Sequence, residues 1–114
     1  MGPLMGLLDR FRRRSVSAAD GVQRVADGAV LVDVRSAGEW RSGHAREAKH
    51  LPLDVLPGRM GELAKNRPVV AVCHSGIRSA RAAKILTDAG YDAVSLRGGM
   101  GAWVGAGGST TGAR

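Results

Sequence analysis

The sequence holds a single cysteine, four prolines, and only two Trp, one Tyr and one Phe in 114 residues. One cysteine excludes an intrachain disulfide, and with it any metal site that draws two or more thiolates from the same chain. The longest apolar runs, such as residues 69–73 behind Pro68, are strand-length and far short of the roughly 20 residues a membrane span needs, so no transmembrane helix is expected. No stretch combines a basic start, an apolar middle and a small-residue cleavage site, which makes the cytoplasm the expected location. Scarce rings also weigh against nucleic acid, which is gripped by aromatics interleaved with a basic stripe. Phe11, Trp40, Tyr91 and Trp103 are widely spaced instead.

Acidic residues are in deficit too, 10 against 17 basic ones, for a formal net charge of +7. The excess is spread out. Residues 1–14 carry Arg10, Arg12, Arg13 and Arg14 against Asp9, and the rest of the chain holds 13 basic and 9 acidic side chains. A distributed positive field suits small anionic ligands.

What is present divides into three parts. Residues 1–14 form a basic, partly apolar extension in which Leu4, Leu7, Leu8 and Phe11 share one helical face. Membrane-surface or partner docking is one use of such a face, and a frayed basic terminus is the favoured one. Residues 105–114, rich in Gly, Ser and Thr, are expected to be a flexible tail. Between them, residues 15–104 alternate strand and helix signals.

Ser17, three residues before Asp20, marks a helix start, with Ala18, Val22 and Val25 as the apolar stripe and Gly28 at its end. Residues 30–34 are a β-branched run that reads as a buried strand. A turn or two of helix is expected over 36–42, a brief strand at 49–51, and a helix over 57–65. Pro68 introduces the second strong strand, 69–73. A helix follows to Ala89, with Arg81, Lys84 and Asp88 wet and Ala82, Leu86 and Ala89 opposite. Val94 lies in a last strand, and a small helix surrounds Trp103. Such alternation predicts an α/β domain with a parallel sheet and helices on both faces, whose ligands bind where strands hand over to helices.

Cys73 falls at such a handover. In CHSGIRS (73–79) a thiol ends a strand, Gly76 permits a tight turn, and a helix starts near Ile77 or Arg78. Inward-turned N–H groups of residues 74–78, the positive end of the helix and the Arg78 guanidinium all favour thiolate over thiol. The Cys73 pKa is therefore expected to fall below that of a free thiol. A depressed thiolate ringed by donors is a nucleophile suited to anionic substrates. A buried inert cysteine is the alternative; the flanking Ser75, Gly76, Arg78 and Ser79 favour catalysis. Arg78 is poorly placed beside the helix dipole for a purely structural cation, and His74 is expected to act through its backbone. Asp33 and Arg35 end the first strong strand on the same sheet edge. Arg35 is a candidate for the pocket rim and for a pair with Glu39, and Asp33, Glu39 and His44 are read as loop-holding groups.

Four motifs, DVRSAGEWRSGH (33–44), HLPL (50–53), CHSGIRS (73–79) and RGGMGAW (97–103), occur in an order and spacing that resembles a single-domain rhodanese, a sulfurtransferase family. The resemblance spans roughly residues 15–104. It implies a five-stranded parallel sheet and a cysteine, Cys73, that accepts a sulfane sulfur as a persulfide and passes it to cyanide or a thiol, with no metal or organic cofactor. It also implies that His74, Ser75, Gly76, Ile77 and Arg78 cradle the terminal sulfur and the donor's anionic group. The partners are then a small anionic donor such as thiosulfate and a thiol or cyanide acceptor, including a protein thiol. Two other functions stay open: a phosphatase or arsenate-reductase-like relative, and a non-enzymatic persulfide carrier or interaction module recruited through residues 1–14. Only four residues separate Cys73 from Arg78, a tighter bowl than a phosphoryl group with three equatorial oxygens requires.

Overall fold

A computed structural model describes residues 14–111. The amphipathic pattern over residues 4–11 and the last three residues of the expected tail lie outside the described residues. The chain forms β1 (Ser15–Val16), α1 (Ala18–Ala26), β2 (Val30–Asp33), α2 (Ala37–Arg41), β3 (Lys49–His50) and α3 (Leu56–Arg59). A 3₁₀ turn (Met60–Glu62) precedes β4 (Val69–Val72), α4 (Ile77–Asp88), β5 (Ala93–Leu96) and α5 (Gly99–Gly105). All five strands are parallel, in the order β1-β5-β4-β2-β3, so β4 is central.

Alternation along β4 divides the core into two layers. Val69, Ala71 and Cys73 face Leu56, Leu63, Ala82 and Leu86 on the α3–α4 side. Val70 and Val72 face Val16, Leu96, Met100 and Trp103 on the α1–α5 side. Each buried Leu or Val contributes about 1.5–3 kcal/mol, which is why a sheet dressed on both faces reads as unbroken β-branched runs. Among the described residues no helix is long and apolar enough to cross a membrane.

Local signals set most boundaries. The Ser17 hydroxyl accepts from the Asp20 N–H at 3.1 Å to cap α1. Ser36 and Glu39 form a reciprocal capping box that starts α2. The helix expected over 57–65 is shorter, only α3 and the 3₁₀ turn. Leu56 and Leu63 are both pulled into the core, and the Tyr91 hydroxyl donates to the carbonyls of Met60 (2.7 Å) and Leu63 (3.1 Å). Those carbonyls are thereby satisfied from outside, with no need of a continuing helix. The two-residue β1 is too short for any periodicity to announce.

The segment expected to be a tail makes specific contacts over its described part. Gly108 sits so close to the Trp103 ring that a Cβ there would stand 2.2 Å from it, and Trp103 Nε1 donates to the Ser109 carbonyl at 2.8 Å. The Arg46 N–H donates to Ser109 Oγ at 3.1 Å, the Ser109 hydroxyl donates to Glu47, and His44 and Thr111 exchange backbone hydrogen bonds of 2.8 and 2.7 Å. Composition gives this segment little to bury, but the 43–48 loop satisfies its polar groups one by one.

Candidate active site

Cys73 follows β4 directly, at the carboxyl edge of the sheet, and Gly76 caps α4 with φ +108°. The loop between them is pressed against the turn before α5. The Met100 N–H donates to the Cys73 carbonyl at 2.8 Å. A Cβ at Gly99, itself at φ +69°, would stand 1.8 Å from the His74 carbonyl oxygen. Only glycine permits that approach.

The Cys73 sulfur accepts from the N–H of Gly76 at 3.0 Å and of Ser79 at 3.3 Å, and Ser79 Oγ lies 3.4 Å away. Burial pushes the thiol pKa up. The Ser79 hydroxyl and the N–H groups of Ser79, Gly76 and Ser75 pull it down, and the net shift is downward. Cys73 has no solvent-accessible surface (0%), lying beneath a loop whose His74, Ser75 and Ile77 side chains are exposed. Of the loop residues singled out from sequence, Ser75 and Gly76 bring their N–H groups to the sulfur, and the His74 carbonyl seats the loop on Gly99. Ser79, named from sequence only as a flanking residue, brings both its N–H and its hydroxyl against the sulfur. Its signal was present in part: the N–H groups of a helix's first turn have no intrahelical partner and point back toward the preceding loop.

Arg78 is not left as a free cation beside the sulfur. Its guanidinium is bidentate on Glu39, with contacts of 2.6 and 2.8 Å, and Glu39 also accepts from the Ser36 N–H and hydroxyl. The Arg78 hydrogen bond leads the effects that hold the Glu39 carboxyl at a pKa of about 2. Glu39 in turn raises that of Arg78, with smaller contributions from the charges of Cys73 and Asp33. The cation's awkward place at the positive end of α4 is thus explained by Glu39, a residue expected only to hold its own loop.

Arg35, expected at the pocket rim, is turned inward. It is 6% exposed, chelates both Asp33 oxygens at 2.7–3.0 Å and donates to the Gly43 carbonyl at 2.8 Å. Both guanidinium contacts are internal, so Arg35 bolts the end of β2 to the loop after α2 and makes no pair with Glu39. His44 stacks on Trp40 with ring centroids 3.5 Å apart, and His50 also stacks on Trp40, at 4.6 Å. Together they brace α2, the helix that carries Glu39.

The arrangement aims hydrogen-bond donors at a sulfur at the junction of strand and helix and so favours its thiolate form, which suits nucleophilic attack and the stabilising of charge that shifts onto an attached atom. The family profile described as a rhodanese-like domain matches residues 17–106. A protein named sulfurtransferase from Allochromatium vinosum is 44% identical over 84 residues, covering 71% of this chain and 78% of that one. The crystal structure of a rhodanese-like domain protein from Staphylococcus aureus superposes with a TM-score of 0.73 at 33% identity, over 79% of this chain and 90% of that chain. A rhodanese-related protein from Thermoplasma volcanium reaches 0.77 at 26% identity, over 86% and 97%. With its parallel five-stranded sheet and its cysteine loop at the end of the central strand, the chain belongs to the rhodanese-like sulfurtransferase family.

Proposed function

We propose that this chain moves a sulfane sulfur from an anionic donor such as thiosulfate to cyanide or a thiol, with Cys73 as the carrier. The observation that carries this reading is the convergence of the Gly76 and Ser79 N–H groups and the Ser79 hydroxyl on one sulfur. The Cys73 thiolate attacks the outer sulfur of thiosulfate; a new S–S bond forms, the old one breaks, and sulfite leaves with its electron pair. The terminal sulfur of the persulfide then carries the negative charge, beside the same N–H groups. The acceptor's nucleophile takes that outer sulfur, releasing thiocyanate or a new persulfide, and the Cys73 thiolate returns. Two-step covalent transfer of this kind gives ping-pong kinetics.

Cys73 is the only thiol in the chain, so its persulfide is not resolved by an internal disulfide and the acceptor is an outside molecule, small or a protein thiol. No metal or organic cofactor enters the cycle, and a reducing compartment such as the cytoplasm keeps the thiol ready. His74, Ser75 and Ile77 are exposed above the covered sulfur and are the first groups an incoming donor meets, while Arg78 is held by Glu39 and keeps the first turn of α4 in place.

Intact mass spectrometry after exposure to thiosulfate tests the reading. The protein gains the mass of one sulfur atom, loses it to cyanide or dithiothreitol, and the Cys73→Ser variant gains nothing. A native protein that neither takes up sulfur nor reacts with iodoacetamide at Cys73, or one that hydrolyses an aryl phosphate without sulfur transfer, defeats it.

A further inference from the structure

β5 presents Ala93 and Ser95 to the same face of the sheet, the α4 side that β4 covers with Val69, Ala71 and Cys73. A hydroxyl on that apolar face, 2% exposed, demands a partner. Ser95 Oγ lies 2.8 Å from Ser79 Oγ, and Ser79 is itself 0% exposed, 3.4 Å from the Cys73 sulfur and 3.2 Å from the Gly76 carbonyl.

Each serine has one hydrogen to give and lone pairs to receive. Were Ser79 to donate to Ser95, the Ser95 hydrogen would be buried without its one hydroxyl partner. With Ser95 donating, both hydrogens are used, and the Ser79 hydrogen is left to choose between the Gly76 carbonyl and the sulfur. An ionised sulfur takes it. A neutral thiol instead offers its own hydrogen to Ser79 Oγ and releases the Ser79 hydroxyl to Gly76. Chained hydroxyl dipoles that point the same way strengthen one another.

We propose that Ser95, sixteen residues downstream of Ser79 and outside the loop, is a positioning residue that orients the Ser79 hydroxyl toward Cys73 and so favours the thiolate used in the proposed sulfur transfer. It touches no substrate and moves no proton. The ionisable groups on the elements around the sulfur are Arg78, Arg81, Lys84 and Asp88 on α4, Glu39 and Arg41 on α2, Asp33 and Arg35 at the end of β2, His74 in the loop and Arg97 after β5. Ser95→Ala adds or removes none of these charges.

Because the chain has one cysteine, thiolate absorbance in the far ultraviolet, corrected with Cys73→Ser for the tyrosine, follows this group alone. In Ser95→Ala the ionisation midpoint rises by about half a unit, leaving roughly threefold less thiolate at pH values below it. In a Ser79→Ala background the same substitution shifts nothing further, since the effect travels through Ser79. Ser95→Thr, which keeps a hydroxyl, retains the parent midpoint, and it decides the matter should Ser95→Ala fail to fold. An unmoved midpoint in Ser95→Ala, an equal shift with Ser79 already removed, or a Thr variant displaced upward overturns the proposal. Absorbance reports ionisation and not turnover: a chain that shows the shift but takes up no sulfur refutes the activity alone, and one that transfers sulfur without the shift refutes Ser95 alone.

Discussion

Arg78 carries a full charge in the first turn of α4, where the helix dipole opposes it, and Glu39 answers that charge from another element. The pair makes a pH prediction. Glu39 has its folded-state pKa lowered to about 2, so its contribution to stability is complete above the ordinary glutamate range near about 4.3 and is lost as pH falls through about 2. Both side chains are about one-third exposed (36% and 33%), so screening limits the contribution to about 1 kcal/mol or less. Urea unfolding of Glu39→Gln beside the parent should show the parent ahead at neutral pH, with the gap closing between pH ~4.5 and ~2. A gap of constant size across that window would mean that the ion pair is not formed in solution. Ser79 and Ser95 belong to the same scale. An unpaired buried hydroxyl costs about 1–3 kcal/mol, so each serine is kept in the interior by the other.

The elements matter through where they end. β4 delivers Cys73, α4 begins with the donors that hold it, and α2 brings the carboxylate that steadies Arg78. The Gly98–Gly99 turn ahead of α5 acts as a floor under the loop. Gly99→Ala puts a methyl group into the His74 carbonyl at a positive φ, a backbone contact that no rotamer relieves. We expect it to cost about 1–3 kcal/mol from overpacking alone. It should also displace the 73–76 loop enough to raise the Cys73 ionisation midpoint toward that of a free thiol, read by urea midpoint and thiolate absorbance. A Gly101→Ala control, where a Cβ meets nothing within 4 Å, should do neither. The chain after α5 has its own structural part, closing over Trp103 and tying down the 43–48 loop through Ser109 and Thr111.

At the scale of the whole molecule, a sheet covered on both faces leaves the carboxyl edge as the place where polar loops and ligands meet. The chain as a whole carries a net charge of +7, a long-range attraction for anions. For an anionic donor, kcat/KM should therefore fall several-fold as added salt shortens the Debye length from about 10 Å at ~0.1 M to about 3 Å at ~1 M. Transfer from the loaded enzyme to a neutral thiol acceptor should respond far less. Stopped-flow measurement of the two half-reactions separates them, and a donor step indifferent to salt would remove steering from the account.

Much of this molecule was legible in the chain because the signals are local. The β-branched runs at 30–34 and 69–73, the Ser17 cap, Gly76 behind a strand-ending cysteine, and the wet and dry faces of α4 depend on neighbours a few residues away, and they determined an α/β sheet with a cysteine loop at its edge. Other features needed the tertiary structure. Glu39 and Arg78 are thirty-nine residues apart, and Ser79 and Ser95 sixteen. Gly99 meets the His74 carbonyl, and Ser109 meets Glu47, only once the chain has returned on itself. Arg35 read as a rim residue because its sequence position reveals the edge it stands on but not the carboxylate it turns toward. Periodicity and caps report the conformation of a segment. Which side chains then share a hydrogen bond follows from laying β5 beside β4 and α2 beside the start of α4, and that was decided by the fold.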